Sequence, residues 1–199
     1  RRPRVFALPT GAAKRFAADV DALLENARRR IREAFESDSY RARSRELHDV
    51  LDRRRAEIFQ GLQQRAEQAG VGLQLTPAGV LSVPLADGHT LTPDEIEHMT
   101  DEARERYERA VEELKAPLQD AFGEVHAVER ETAQRHQELN REVALFAVGA
   151  LVEDTRARWT DVPGLAEWLD AVREDVLANL DLFRASEDDG GRSAGGAPP

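Results

Sequence analysis

The chain has 199 residues, 33% of them charged and only 6% aromatic, with a formal net charge of −10. So few large aromatic side chains argue against one broad globular core and for long helices packed through narrow seams. With no cysteine in the sequence, disulfide staples, thiolate zinc sites and cysteine nucleophiles are excluded.

The charge is unevenly placed. Residues 1–69 hold 16 basic and 11 acidic side chains, net +5, and the remainder holds 12 and 27, net −15. The simplest reading is that the front helices lie against the later ones, which sets pairing and register while adding little stability where the ions are exposed.

In chain order, Phe16, Val20, Leu23, Ala27, Ile31 and Phe35 recur every three or four residues and predict an amphipathic helix over 11–36. Ser37-Asp38-Ser39 compete for backbone hydrogen bonds and cap a new helix, so a break or sharp bend is expected there. A second helix follows to about Ala69, with a thinner stripe of Tyr40, Leu47, Leu51, Ile58 and Leu62, and stops at Gly70. Residues 71–92 change character. Thr76-Pro77-Ala78-Gly79 and Asp87-Gly88 are turn signals between runs of Val, Leu and Thr, so a β-hairpin or three-strand meander is predicted at about 71–91. Pro84 lacks an N–H, which places its strand at an edge or makes it leave the sheet there.

Thr92-Pro93-Asp94-Glu95 is a capping box with proline at the first helical position, and it predicts the start of a third helix reaching Trp159. Within it Val111, Leu114, Leu118, Ala121, Val125 and Val128 alternate steps of three and four, as a coiled-coil seam does. Pro117 is expected to kink or divide this helix. Val143 to Val152 is a run of ten residues without a charge or a polar side chain. That is half of the roughly 20 needed to cross a bilayer, and no charged-then-apolar leader opens the chain, so a soluble, cytoplasmic protein is expected. After a turn at Asp161-Val162-Pro163-Gly164, residues Leu165, Trp168, Leu169, Val172, Val176, Leu180 and Phe183 predict a last amphipathic helix. The tail 186–199 has no apolar period and reads as disordered.

The expected fold class is mainly α: an elongated helical bundle with an antiparallel coiled-coil arm and a small β element at the arm tip. The domain is drawn over 1–185, its base from 10–36, 140–160 and 163–184 and its arm from 39–69, 71–91 and 93–125. A helix that is apolar all round is surrounded, so Val143, Leu145, Phe146, Val148, Leu151, Trp159 and Trp168 are expected to anchor the base, and Phe146→Asp to unfold it.

Residues that could carry chemistry are few. Gly11-Ala12-Ala13-Lys14 lacks the spacing and second glycine of a phosphate loop. Lys115 has no serine near it in sequence with which to form a dyad. Glu95 and His98 make one E-x-x-H, where a di-metal bundle needs two such motifs and two further glutamates, and His48, His126 and His136 sit isolated among charges. Arg28-Arg29-Arg30-Arg32 and Arg53-Arg54-Arg55 could meet phosphates, but the chain is acidic, lysine-poor and without interleaved aromatics, which favours pairing with the acidic later helices over nucleic acid. No catalytic, cofactor or metal residue is assigned. Val71, Leu73, Leu75, Val80, Leu81, Val83 and Leu85 form the candidate contact surface for a substrate or partner.

LNREVALFAVGALVEDTRARW, followed by PGLAEWLDAVREDVLANLDLF, resembles the helical region of Lon-like ATP-dependent proteases of the LonB/LonC type, in which a long helical insertion interrupts the AAA+ ATPase module. RRPRVFALPTGAAKRFAADVDALL and GLQLTPAGVLSVPLADGHTLTPDEIE resemble the same region in order, so the similarity covers residues 1 to about 184. It is specific in the Arg141 to Val152 block and looser in the arm. The resemblance implies a non-catalytic insertion contributing to substrate recognition or to subunit contacts in a ring. ATP, magnesium and a serine-lysine peptidase dyad would then belong to the parent protein, and unfolded proteins and neighbouring subunits would be the partners, with no membrane. A self-associating coiled-coil scaffold, whose seam at Val111 to Val128 makes a dimer, and a DNA-binding helical module are the alternative readings.

Overall fold

The computed structural model describes residues 5–76, 79–86 and 88–184. The architecture is mainly helical with one small antiparallel sheet, as the sequence predicts. In order the elements are α1 (Ala13–Glu36), α2 (Asp38–Gln68), β1 (Val71–Thr76), β2 (Gly79–Ala86), β3 (His89–Thr90), α3 (Pro93–Glu97), α4 (Asp101–Arg158), α5 (Leu165–Ala178) and α6 (Leu180–Arg184). The chain divides into two compact units, one of residues 1–45 and 135–199 and the other of residues 46–134, with α2 and α4 contributing to both.

In the first unit the buried stripes are Leu23, Ala27, Ile31 and Phe35 of α1, Leu139, Ala144, Ala147, Val148 and Val152 of α4, and Leu165, Leu169, Val176 and Leu177 of α5. Phe6, Phe16, Trp159 and Trp168 close one end in edge-on contacts, with ring centroids 5.3 Å apart for Phe16 and Trp159. The Trp159 indole N–H is satisfied by Asp19 at 2.9 Å, which lets a buried indole keep its polar edge. The expected break falls at Ser37, whose hydroxyl donates to the Ala34 carbonyl (2.6 Å) and accepts from the Tyr40 N–H (3.2 Å). One side chain thus closes α1 and opens α2. Tyr40, stacked edge-on with Phe35, donates its hydroxyl to Asn140 at 2.8 Å.

In the second unit α2 supplies Leu62 and Ala66 and α4 supplies Ala110, Leu114, Ala121 and Val125 to the buried seam. Phe59 meets Phe122 with centroids 6.1 Å apart, and Arg55 pairs with Glu129. The acid–base complement read from the sequence appears here, and as Arg43–Glu142 at 2.7 Å in the first unit.

Several boundaries differ from the sequence expectations. The capping box forms, with Thr92 and Glu95 reciprocally bonded, but its helix ends at Glu97. Thr100 then caps a new start, accepting from the Ala103 N–H at 3.2 Å. Asp101 and Glu102 in the next turn complement the helix dipole. Pro117 does not divide α4, which continues through it for 58 residues. The last helix is split at Asn179, where the backbone leaves the helical region (φ −122°, ψ 36°) and the side-chain amide donates to the Asp175 carbonyl at 2.7 Å. Pro77, Ala78 and Asp87 of the two turn signals, and the tail 186–199, lie outside the described residues.

The strand order is β1-β2-β3, so Pro84 lies in the central strand and not in an edge strand. The reason is its register. The Leu85 N–H donates to Gly70 (2.9 Å), which makes Val71 and Pro84 a non-hydrogen-bonded pair and turns the Pro84 nitrogen away from β1. On its other side the Leu91 N–H donates to the Pro84 carbonyl (3.1 Å) with no return bond, and β3 has already ended at Thr90.

Candidate contact surface of the sheet

The seven sequence-predicted contact residues come together on one sheet, because β1 and β2 pair from Val71 with Pro84 to Thr76 with Gly79. Directly opposed residues share a face. Val71, Leu73, Leu75, Val80 and Ser82 therefore lie on one face, and Gly72, Gln74, Leu81, Val83 and Leu85 on the other. The first face packs on α4 around Ala66, Val71, Ala110 and Leu114, with Leu73, Tyr107 and Val111 against them. Val71 is fully buried and is a core residue, which corrects its assignment to the contact surface. It follows Gly70 directly, and a φ of +75° there turns the chain from α2 onto α4.

Beyond this anchor the sheet opens. Leu75 is 68% and Leu81 51% exposed, on opposite faces, while Leu73, Val80, Val83 and Leu85 are half-buried. Gly72 keeps the second face shallow. A β-carbon there would stand 3.0 Å from Val83 Cγ2 and 3.1 Å from Leu85 Cδ2. A cleft of about 430 Å³ lies over this face, lined by Gln63 and Glu67 of α2, Gly72 and Gln74 of β1, and Val83 and Leu85 of β2.

The anchors expected around the apolar decade separate into two sets. Val148 and Trp159 are buried and Val143, Leu151 and Trp168 half-buried, but Phe146 is 88% and Leu145 42% exposed. Phe146 is therefore not an anchor. Successive helical residues turn by about 100°, so Leu145 and Phe146 face away from the stripe of Ala144, Ala147 and Val148. Among the described residues, the packed neighbours of the first unit cover one side of α4 here.

The remaining polar candidates have local roles. Glu95 receives the Thr92 N–H (2.7 Å) and hydroxyl (2.8 Å), and these hydrogen bonds, the backbone one first, hold its carboxyl below the ordinary range. The His98 ring lies 2.7 Å from the Asp94 carbonyl. His126 stands 3.1 Å from Glu129, His136 3.1 Å from the Ser44 hydroxyl, and Lys115 is paired with Glu112. Among the described residues no group of three His, Asp or Glu side chains is placed to hold a metal ion. Arg28, Arg29 and Arg30 are exposed on α1, Arg28 lying over the Phe183 ring at 6.0 Å. No described helix is long and apolar enough to cross a membrane.

Sequence reasoning missed one functional group here, the Tyr107 hydroxyl. It donates to the Ser82 carbonyl at 3.0 Å, along the side of β2 that faces away from β1. A lone tyrosine in a charged helix gave no signal of this role. Compared with known proteins, the chain matches no family model and no curated sequence.

Proposed function

We propose that this chain is the non-catalytic helical segment of a Lon-like ATP-dependent serine protease, and that its sheet makes contact with polypeptide substrates. The observation that carries the reading is the pair of exposed leucines, Leu75 and Leu81, on a sheet otherwise anchored to its unit by Val71. The parent's ATP site and peptidase dyad lie outside this segment in that reading, and the resemblance of the Arg141 to Val152 block supports the family. In the full-length protein, Leu75→Ser with Leu81→Ser slows degradation of an unfolded protein and leaves cleavage of a small peptide unchanged. Undiminished degradation of the unfolded protein would remove the sheet from the mechanism.

A second reading, self-association or contact between neighbouring subunits, is favoured by a different observation. The seam at Val111 to Val128 is already occupied within its own unit, but Phe146 and Leu145 stand exposed. Sedimentation over a range of concentrations distinguishes the readings, because a strictly monomeric chain contradicts the second.

A further inference from the structure

The three strands leave two long sides on which another strand could hydrogen-bond, and the structure treats them differently. By the alternation of the ladder, Val71 with Pro84, Leu73 with Ser82 and Leu75 with Val80 are non-hydrogen-bonded pairs. The N–H and C=O groups of Leu73 and Leu75 consequently point away from β2, along the outer side of β1. Among the described residues no hydrogen bond reaches them. Val71 is fully covered, so the accessible stretch is Leu73 to Leu75. On the other side, Tyr107 occupies the Ser82 carbonyl and β3 follows beyond Pro84, so that among the described residues of β2 the Val80 groups and the Ser82 N–H are what stay open before Pro84.

Exposed edge strands are ordinarily guarded by a lysine, a proline, a bulge or a covering element. The segment VGLQLT has no charge and no proline, and its pairing with β2 runs without a bulge. We propose that the outer edge of β1 binds an extended segment of another polypeptide as an added strand, using the four backbone groups of Leu73 and Leu75. This rests on the polypeptide-binding reading above and supplies its mode of recognition.

Charge selects the segment. Residues 46–134 hold nine basic and nineteen acidic side chains, net −10, which is the whole net charge of the chain. Across the two faces of an added strand, apolar side chains would sit beside Leu75, and their alternates beside Gln74 and the cleft where Gln63 donates to Glu67 at 2.9 Å. An uncharged or basic strand with apolar residues at every second position fits both faces. An acidic one is repelled.

The test uses the whole chain with a fluorescent peptide of alternating valine and lysine, its valine–glutamate counterpart, and a version N-methylated on the residues that would face the edge. The valine–lysine peptide binds, the glutamate peptide binds at least tenfold more weakly, and N-methylation weakens binding by roughly tenfold, as expected for lost backbone bonds. Leu75→Pro removes an outward donor without touching the ladder to β2, so it binds roughly tenfold more weakly than Leu75→Ala, which lacks the same side chain. In amide exchange, Leu73 and Leu75 are fast in the free protein and slow with peptide, while Gly72 and Gln74 are slow in both. If the N-methylated peptide and Leu75→Pro bind unimpaired, strand addition is overturned and binding of polypeptide by a sheet face stands. If no peptide binds the unaltered chain, both fall. Protection of Leu73 and Leu75 that grows with protein concentration alone would overturn the inference in favour of pairing between two copies.

Discussion

Phe146→Asp separates what the apolar decade does for its own chain from what it offers outside. Phe146 is 88% exposed, so about 12% of its side chain is covered. On a phenylalanine of roughly 200 Å² that is about 24 Å², worth about 0.6 kcal/mol at about 25 cal/mol per Å². Phenylalanine and aspartate have similar helix propensities, which adds a few tenths of a kcal/mol at most. The substitution is therefore expected to cost under about 1 kcal/mol. Val148→Ala, half a turn away and buried, removes two methylene equivalents and leaves a cavity, for about 2 kcal/mol. Urea unfolding followed by circular dichroism at several protein concentrations measures both. A loss above about 2 kcal/mol for Phe146→Asp, in a chain whose unfolding midpoint is independent of concentration, would refute the packing described for α4. A midpoint that rises with concentration in the unaltered chain and not in Phe146→Asp would instead place Phe146 in a self-association interface.

Two further outcomes are expected. Pro117 lies inside the continuous α4 and removes one hydrogen bond, so Pro117→Ala is expected to stabilise the unit of residues 46–134 by up to about 3 kcal/mol, read as a raised urea midpoint. A lowered midpoint would mean that the proline is required by the packing. The Glu129 carboxyl is held below its ordinary range chiefly by the Arg55 hydrogen bond and then by His126, and that of Glu142 by Arg43. Both pairs are present above the unfolded carboxylate pKa and are lost as pH falls through the lower folded one. Stability is thus expected to be flat in their contribution from pH 7 to about 5 and to fall below about pH 4. Glu129→Gln with Glu142→Gln flattens part of that acid limb, and an unchanged limb would show that the pairs contribute nothing.

The helices were legible because their apolar residues repeat at the helical period and their ends carry strong local chemistry. Ser37, Gly70 and the Thr92 box each act over a few residues, and each appears where the pattern places it. Boundaries failed where a weaker cap overrode a long pattern, at Thr100 and Asn179. Phe146 was misplaced for a different reason. An apolar run states that water is disfavoured on every side but not how many neighbours exist, and the count of helices in one unit is a tertiary fact. The candidate site was legible as a set of side chains and only partly as a surface. Val71 and Leu75 are both apolar and on one strand face, yet one is a core residue and the other is open. The backbone edge of β1 has no side-chain signature at all beyond the absence of guards.

The Tyr107–Ser82 hydrogen bond has a consequence for assembly. A sheet with two receptive sides can relay strands indefinitely, one unit handing its far side to the next, which is how open-ended fibres grow. With the Ser82 carbonyl engaged by Tyr107, the outer side of β2 offers one acceptor fewer than the outer side of β1, and the two sides are not equivalent. That inequality works against a relay of strands from one copy to the next, and a single tyrosine hydroxyl supplies it.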